Sequence, residues 1–165
     1  MNMRLSRRHF LFAGAAAGAL LALRISNNAF AAPEKKFEIE KSPEEWKKIL
    51  TPEQFRVLRE HGTERPFTSP LDREKRKGIF SCAGCDLPLF DAAAKFDSKT
   101  GWPSFYQPLD NAVGTSTDRS YMMTRTEVHC RRCGGHLGHV FEDGPKPTGL
   151  RYCMNGLALK FTPGV

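Results

Sequence analysis

The stretch CRRCGGHLGHVFEDGPKPTGLRYCMN, residues 130–155, decides how the rest of this sequence is interpreted. It begins with a closely spaced pair of cysteines, Cys130 and Cys133, and ends with a lone cysteine, Cys153. Between them, short apolar segments alternate with Gly, Pro and Asp, a pattern typical of short strands joined by turns. The stretch therefore predicts a β-rich domain that uses its cysteines in two different ways.

The same pattern extends to both sides of this stretch and predicts a mainly β fold. Two short helices come first, because SPEE and TPEQ place Ser42 and Thr51 at N-caps with a capping residue three positions later. The candidate strands are GIFSC (78–82), TEVHC (126–130), HVFE (139–142), RYCMN (151–155) and LALKF (157–161). A chain of 165 residues has room for one ordinary domain, which we assign to residues 42–165.

Residues 1–31 resemble an export signal rather than part of the folded domain. They combine a basic start, an apolar run of 14 residues (10–23) and a small-residue end. The run is shorter than the roughly 20 residues of a membrane-spanning helix, so we expect no stable membrane span after signal removal. Arg7 and Arg8 form a twin-arginine-like motif, which predicts export to a bacterial periplasm; an uncleaved signal anchor and a chance arginine pair are the alternatives. Residues 32–41 are charged and predict a flexible leader.

The charge of the mature chain argues against a nucleic-acid partner. The whole chain carries a formal charge of +7, but residues 1–31 hold four arginines and no acidic residue. Removing them leaves +3, whereas nucleic-acid surfaces concentrate Lys and Arg. The one dense cluster, DREKRKG at 72–78, also contains acids and is typical of a solvated loop.

Two CxxC pairs predict a metal site. Cys82 and Cys85 form the first pair, and Cys130 and Cys133 form the second. Four thiolates presented from two tight turns match the tetrahedral preference of zinc, so we expect one structural zinc ion. The 44 residues between the pairs exceed the usual zinc-ribbon spacing. Two disulfides, or a redox-active CxxC pair, are the alternatives.

His136 and His139 follow the second pair at three-residue steps and could complete a Cys2His2 site with it. That arrangement would leave Cys82 and Cys85 without partners and would crowd the ligands more than a zinc finger does. We therefore expect both histidines to be free for other chemistry, with a satisfied polar pair as the alternative.

Cys153 has no partner once the other four cysteines bind metal. Arg151 and Asn155 lie two residues to either side, and on a strand this spacing puts all three side chains on one face. A guanidinium close to a thiol favours the thiolate and lowers its pKa. The pattern predicts a nucleophilic thiolate; an inert buried thiol is the alternative.

Several segments together resemble the type B methionine sulfoxide reductases, the peptide-methionine (R)-S-oxide reductases. They cover nearly all of residues 42–161 in order: LTPEQFRVLREHGTERPF, CAGC, FDSKTGWPSF, CRRCGGHLGHVFEDGPKPTGLRYCMN and LALKF. The resemblance implies two antiparallel β-sheets with short helices at the periphery and a structural zinc site remote from the chemistry. It also implies that the substrates are oxidised proteins or peptides that carry methionine R-sulfoxide.

The resemblance further implies a role for each matching residue at the end of the chain. Cys153 corresponds to the catalytic cysteine, Arg151 to the basic residue that activates it, and Asn155 to the amide beside it. Attack of the thiolate on the sulfoxide sulfur, with protonation of the oxygen, would leave methionine and a cysteine sulfenic acid.

Four more residues correspond to the family's substrate site. His136 and His139 match the pair that holds a water or the sulfoxide oxygen, and Asp143 matches the carboxylate behind them. Trp102 matches the aromatic wall around the substrate methyl group, although on its own it would be read as a core residue.

The sequence departs from the commonest family pattern just before GWPSF. Many members carry a recycling cysteine there, whereas this chain has Lys99 and Thr100 before Gly101. We therefore expect a thioredoxin-like protein or a small thiol to reduce the sulfenic acid directly. A CxxC cysteine acting as resolver in a metal-free form is the alternative. A zinc-dependent binding module and a CxxC thiol oxidoreductase are the rival functions.

Overall fold

The computed structural model describes residues 37–164, and within them the fold is mainly β with two short helices. The helices are α1 (Pro43–Ile49) and α2 (Pro52–Glu60). The strands are β1 (Gly78–Cys82), β2 (Pro88–Asp91), β3 (Lys95–Phe96), β4 (Ser104–Phe105), β5 (Val113–Asp118), β6 (Arg125–Cys130), β7 (His136–Phe141), β8 (Arg151–Met154) and β9 (Leu159–Pro163).

The strands form two antiparallel sheets, which confirms the predicted fold class. The smaller sheet has the order β2-β1-β9, and the larger has the order β3-β4-β8-β7-β6-β5. In the larger sheet β8 lies between β4 and β7, so the strand that carries Cys153 has a neighbour on each side. A central strand holds its side chains more firmly than an edge strand, because both of its backbone edges are hydrogen-bonded.

Phenylalanine rings join the two sheets. Phe80 and Phe90 are opposite each other in the smaller sheet, and Phe105 lies in the larger sheet. The Phe90 and Phe105 rings stack with their centroids 4.3 Å apart, while Phe80 meets Phe105 edge-on at 5.0 Å. All three side chains are fully buried, so this cluster forms the centre of the core.

The two helices begin as predicted, and α2 packs against both α1 and the larger sheet. Ser42 and Thr51 each form both hydrogen bonds of a capping box. α2 buries Phe55, Val57 and Leu58 and contacts β7 and the 3₁₀ turn that follows β8. It ends at His61, which adopts a left-handed conformation with φ 52°.

The start of the chain is described only in part. The predicted export signal, residues 1–31, lies outside the described residues, as do positions 32–36 of the predicted leader. From Phe37 onward the chain contacts the domain: the Phe37 ring meets His129, and the Ile39 amide donates to the Arg132 carbonyl at 3.0 Å. Across residues 37–164, no helix combines the length and apolar character that crossing a membrane requires.

Several predicted strand bounds were wrong. β7 begins at His136, three residues before the predicted start, and β8 ends at Met154, so Asn155 lies outside the strand. Residues 156–158 form a 3₁₀ turn rather than the start of the last strand. Four strands were not predicted, namely β2, β3, β4 and β5, of which β3 and β4 have only two residues each.

Candidate active site and metal centre

Four cysteines lie together where the ends of β1 and β6 meet. Their sulfur atoms all lie within 4.8 Å of one another, with Cys82 Sγ 3.8 Å from Cys133 Sγ and Cys85 Sγ 3.5 Å from Cys130 Sγ. A tetrahedral zinc ion with Zn–S bonds of about 2.3 Å places its ligands roughly 3.8 Å apart. All four are free thiols, and these separations are far longer than the roughly 2.05 Å of a disulfide bond. The residues therefore fit one metal ion, and the predicted grouping of the two pairs is confirmed.

The two CxxC turns share one backbone design. The amide four residues after the first cysteine donates back to that cysteine's carbonyl at 2.9 Å, from Asp86 to Cys82 and from Gly134 to Cys130. Both donors have left-handed backbones, with φ 58° at Asp86 and 67° at Gly134. This conformation folds each pair into a tight turn that aims both sulfurs to the same side.

An arginine lies against the cysteine cluster. Arg59 of α2 donates to Cys133 Sγ at 3.2 Å and to the Cys133 carbonyl at 3.0 Å. Its guanidinium also stacks over the Trp46 ring, 4.1 Å from the ring centroid. A fixed positive charge beside a sulfur favours the thiolate that a metal ion requires.

Cys153 lies at the middle of the larger sheet, opposite Ser104 on β4 and His139 on β7. Its Sγ is 3.9 Å from the Thr100 hydroxyl. Ser98 links the neighbouring hydroxyls, at 2.8 Å from Thr100 Oγ1 and 2.7 Å from Ser104 Oγ. The lone cysteine is therefore surrounded by hydroxyl groups on one side and a histidine-bearing strand on the other, and it is distinct from the metal-binding four.

The expected lowering of the Cys153 pKa was wrong. Burial raises the pKa of the Cys153 thiol above its ordinary value, and Thr100, Arg151 and Ser104 oppose this effect only in part. The charge of Arg151 is shared with a carboxylate. Its guanidinium donates to both carboxylate oxygens of Asp143, at 2.9 and 2.8 Å.

Asp143 does not lie behind the histidines as expected. Its carboxylate binds Arg151, which holds the pKa of Asp143 below its usual value. The Arg151 guanidinium also stacks on Phe141, its cross-strand partner, 4.4 Å from the ring centroid. Arg151 and Asp143 therefore form one rigid unit beside Cys153.

Two other carboxylates hold the histidines. His136 Nδ1 lies 2.7 Å from Glu127 Oε1, and His139 Nε2 lies 2.8 Å from Asp118 Oδ2. The two rings are 5.4 Å apart, and neither belongs to the cysteine group, so the Cys2His2 alternative is excluded. Sequence reasoning missed both carboxylates; the signal for Glu127 was an acidic residue inside the predicted strand TEVHC, residues 126–130.

These partners determine which ring nitrogens carry hydrogen. Because a carboxylate only accepts, His136 donates through Nδ1 and His139 donates through Nε2. Among the described residues, His136 Nε2 is buried without a hydrogen-bond partner. Burial also lowers the pKa of His139, which favours its neutral form. Each ring therefore keeps one nitrogen that can accept a proton.

The amide of Asn155 braces the backbone rather than sharing the Cys153 face. Asn155 is buried, accepts from the Glu64 amide at 2.9 Å and donates to the Leu137 carbonyl at 3.1 Å. The indole of Trp102 donates to the Glu64 carbonyl at 3.2 Å. Glu64 thus ties Trp102 to Asn155, and its role was not visible in the sequence.

Comparison with known proteins places this arrangement in a family. The model of the SelR domain matches residues 50–163. A peptide methionine sulfoxide reductase MsrB of Methanosarcina barkeri is 58% identical over 124 residues, covering 74% of this chain and 87% of the relative. Proteins of the same name from Leptospira interrogans and Pseudomonas putida are 56% and 57% identical, each covering 76% of this chain and 96% of the relative. The chain therefore belongs to the SelR-domain family of peptide methionine sulfoxide reductases.

Proposed function

We propose that this enzyme reduces the R epimer of methionine sulfoxide in peptides and oxidised proteins, with Cys153 as the nucleophile. The observation that carries the proposal is the position of Cys153 on a central strand, directly opposite His139 and within reach of the Thr100 and Ser104 hydroxyls. Among the described residues it is the one cysteine outside the metal cluster.

The resting thiol already holds the proton that the reaction needs. A sulfoxide oxygen leaves sulfur only when it is protonated. As Cys153 Sγ attacks the sulfoxide sulfur, the thiol proton passes to that oxygen, with neutral His139 as the group placed to carry it. The attack forms a bond between Cys153 Sγ and the substrate sulfur; the oxygen then moves to Cys153 Sγ, so that the substrate S–O bond and the transient S–S bond both break and a Cys153 S–O bond forms. The methionine sulfur gains two electrons and the cysteine sulfur loses two. The products are methionine and a Cys153 sulfenic acid.

We propose that a polar side and an apolar side of the site select between sulfoxide epimers. His136 and His139 would face the oxygen, and Trp102 would pack against the methyl group. Trp102 is held in place because its ring nitrogen bonds to the Glu64 carbonyl. The preference for the R epimer rests on the family resemblance.

We propose zinc as the metal held by Cys82, Cys85, Cys130 and Cys133. Four sulfur ligands leave no open position, so the ion would tie the ends of β1 and β6 together and take no part in the reaction. The neighbouring Arg59 would offset part of the negative charge of the four thiolates.

Recycling would depend on an external thiol. Thr100, whose hydroxyl lies 3.9 Å from Cys153 Sγ, occupies the position where a recycling cysteine would be expected. We propose that a thioredoxin-like protein or a small thiol reduces the sulfenic acid. On the sequence of residues 1–31 we also propose export to the periplasm, where oxidised proteins would be the substrates.

The raised pKa of Cys153 predicts slow alkylation at neutral pH. A higher pKa leaves less thiolate, so the rate with iodoacetamide should be lower than that of free cysteine near pH 7 and should still increase above about pH 8.5. Intact-mass measurement of the metal-loaded protein gives the rate, and the Cys153→Ser variant corrects for the other cysteines. An alkylation rate that reaches its plateau below pH 7 would show that the charge of Arg151 lowers the pKa of Cys153 more than burial raises it.

Turnover of separated epimers tests the proposed function. With dithiothreitol as reductant, we expect methionine from a peptide that carries the R sulfoxide and none from the matched S peptide. Equal turnover of both peptides would overturn the epimer assignment. If neither peptide is reduced while the metal remains bound, the zinc-dependent binding module becomes the better description.

A further inference from the structure

His61 connects the end of α2 to the candidate active site. Its side chain is 66% exposed, yet its Nδ1 lies 2.9 Å from Glu127 Oε1. Its ring centroid is 5.2 Å from that of His136, whose side chain is only 3% exposed. The left-handed backbone at residue 61 turns the chain at the helix end and directs the ring to β6. No role for His61 follows from the chemistry described above.

Glu127 is shared by two histidines through one oxygen. Oε1 accepts from His61 Nδ1 and from His136 Nδ1, while the Ser116 hydroxyl donates to Oε2. Although burial opposes it, these bonds hold the pKa of Glu127 below its ordinary value, so the carboxylate is charged. Hydrogen-bond partners on β5, on β7 and at the end of α2 therefore fix the orientation of the Glu127 carboxylate.

Two other charged groups lie near His61, but Glu127 is its main partner. Asp118 on β5 and Arg59 on α2 act on it with opposite signs. The hydrogen bond to Glu127 raises the pKa of His61, which favours the charged ring. The exposed histidine can therefore balance the charge of the Glu127 carboxylate, while the buried His136 Nε2 has no hydrogen-bond partner among the described residues.

We propose that His61 is a positioning residue for sulfoxide reduction: by sharing Glu127 Oε1, it holds the His136 ring with Nδ1 as donor and Nε2 as the inward acceptor. This inference rests on the proposed function. Without His61, the carboxylate would have only His136 to balance its charge and could rotate away from its present orientation. The His136 ring would then lose its fixed tautomer, and the proton-carrying side of the site would be misplaced.

Two substitutions at residue 61 separate this role from a structural one. His61→Gly removes the donor but keeps the left-handed backbone, which glycine adopts without strain, so we expect no loss of thermal stability. His61→Asn also tolerates that backbone, and its amide nitrogen stands close to where Nδ1 was. Asn111→Gly serves as the matched control. It also places glycine at a left-handed position, with φ 53°, but it lies outside the His61–Glu127–His136 group.

We expect His61→Gly to lower kcat for the R-sulfoxide peptide by about tenfold or more with little change in KM, because substrate contacts are retained. His61→Asn should remain within about threefold of the wild type, and Asn111→Gly should match it. Wild-type kcat in His61→Gly, or equal loss in His61→Gly and His61→Asn, would overturn the proposal.

Nitrogen NMR of the metal-loaded full chain gives a readout that does not need turnover. At neutral pH the wild type and His61→Asn should each show His136 with a protonated Nδ1 and a bare Nε2. His61→Gly should lose that single tautomer. If the spectrum of His136 is unchanged in His61→Gly, the proposal fails even if activity falls. If wild type reduces neither epimer, the proposed function fails while this spectrum still tests His61.

Discussion

Replacement of Cys153 by serine is expected to lower the rate of R-sulfoxide reduction by about three orders of magnitude or more. A serine hydroxyl has nearly the size of the thiol but cannot attack the sulfoxide sulfur and take up its oxygen. Methionine formation from the R-sulfoxide peptide with dithiothreitol measures the rate.

Thermal unfolding and metal content are the controls for Cys153→Ser. Both should match the wild type, because Cys153 lies outside the four-cysteine cluster and its neighbours are hydroxyl groups that tolerate another hydroxyl. Thr100→Ser keeps the nearby hydroxyl and should retain most of the activity. An undiminished rate in Cys153→Ser would remove the basis of the proposed mechanism.

Loss of the metal is expected to unfold the domain. Structural zinc sites contribute about 10–16 kcal/mol in small metal-binding peptides, whereas whole domains are stable by only about 5–15 kcal/mol. Removal of the ion would also leave four mutually close sulfurs without a shared cation, at the junction of β1 and β6. We therefore expect that Cys133→Ser, or chelation under reducing conditions, abolishes the cooperative thermal unfolding transition of the wild type.

Circular dichroism with parallel metal analysis checks this expectation. Cys153→Ser is the matched control, since it also removes one thiol but should keep one bound metal ion per chain. A metal-free protein that retains the wild-type melting temperature would show that the cysteine cluster is not a structural metal centre.

The features that could be predicted from sequence are those encoded over a few residues. The capping boxes at Ser42 and Thr51 need only four residues each, and they form as expected. Each CxxC turn is also encoded by only four residues. That the two turns lie together could be predicted by assuming that their four thiolates bind one ion. The strand around Cys153 was also predicted, at residues 151–155, and it forms over residues 151–154.

The supporting groups of the site come from distant parts of the chain. Glu127 and His136 are on separate strands, and His61 reaches them from the end of a helix. Such pairing depends on strand order, which a single sequence does not state. Asp143 was assigned to the histidines by the family resemblance, but its carboxylate binds Arg151 instead.

Burial explains why the pKa of Cys153 is raised rather than lowered as predicted. Sequence spacing placed Arg151 close to the thiol, and the structure agrees. The burial of Cys153 in a six-stranded sheet acts against its ionisation, and spacing alone could not indicate that burial. In the proposed reaction, the neutral thiol of Cys153 can then supply the proton itself.

Transfer of labelled oxygen is the most direct test of the central claim that Cys153 takes the oxygen from methionine sulfoxide. The metal-loaded protein is mixed with one equivalent of R-sulfoxide peptide carrying a heavy oxygen isotope, without reductant, and the peptide that contains Cys153 is then analysed by mass spectrometry. We expect one heavy oxygen on Cys153 for each methionine formed. Formation of methionine with no heavy oxygen on Cys153 would contradict it.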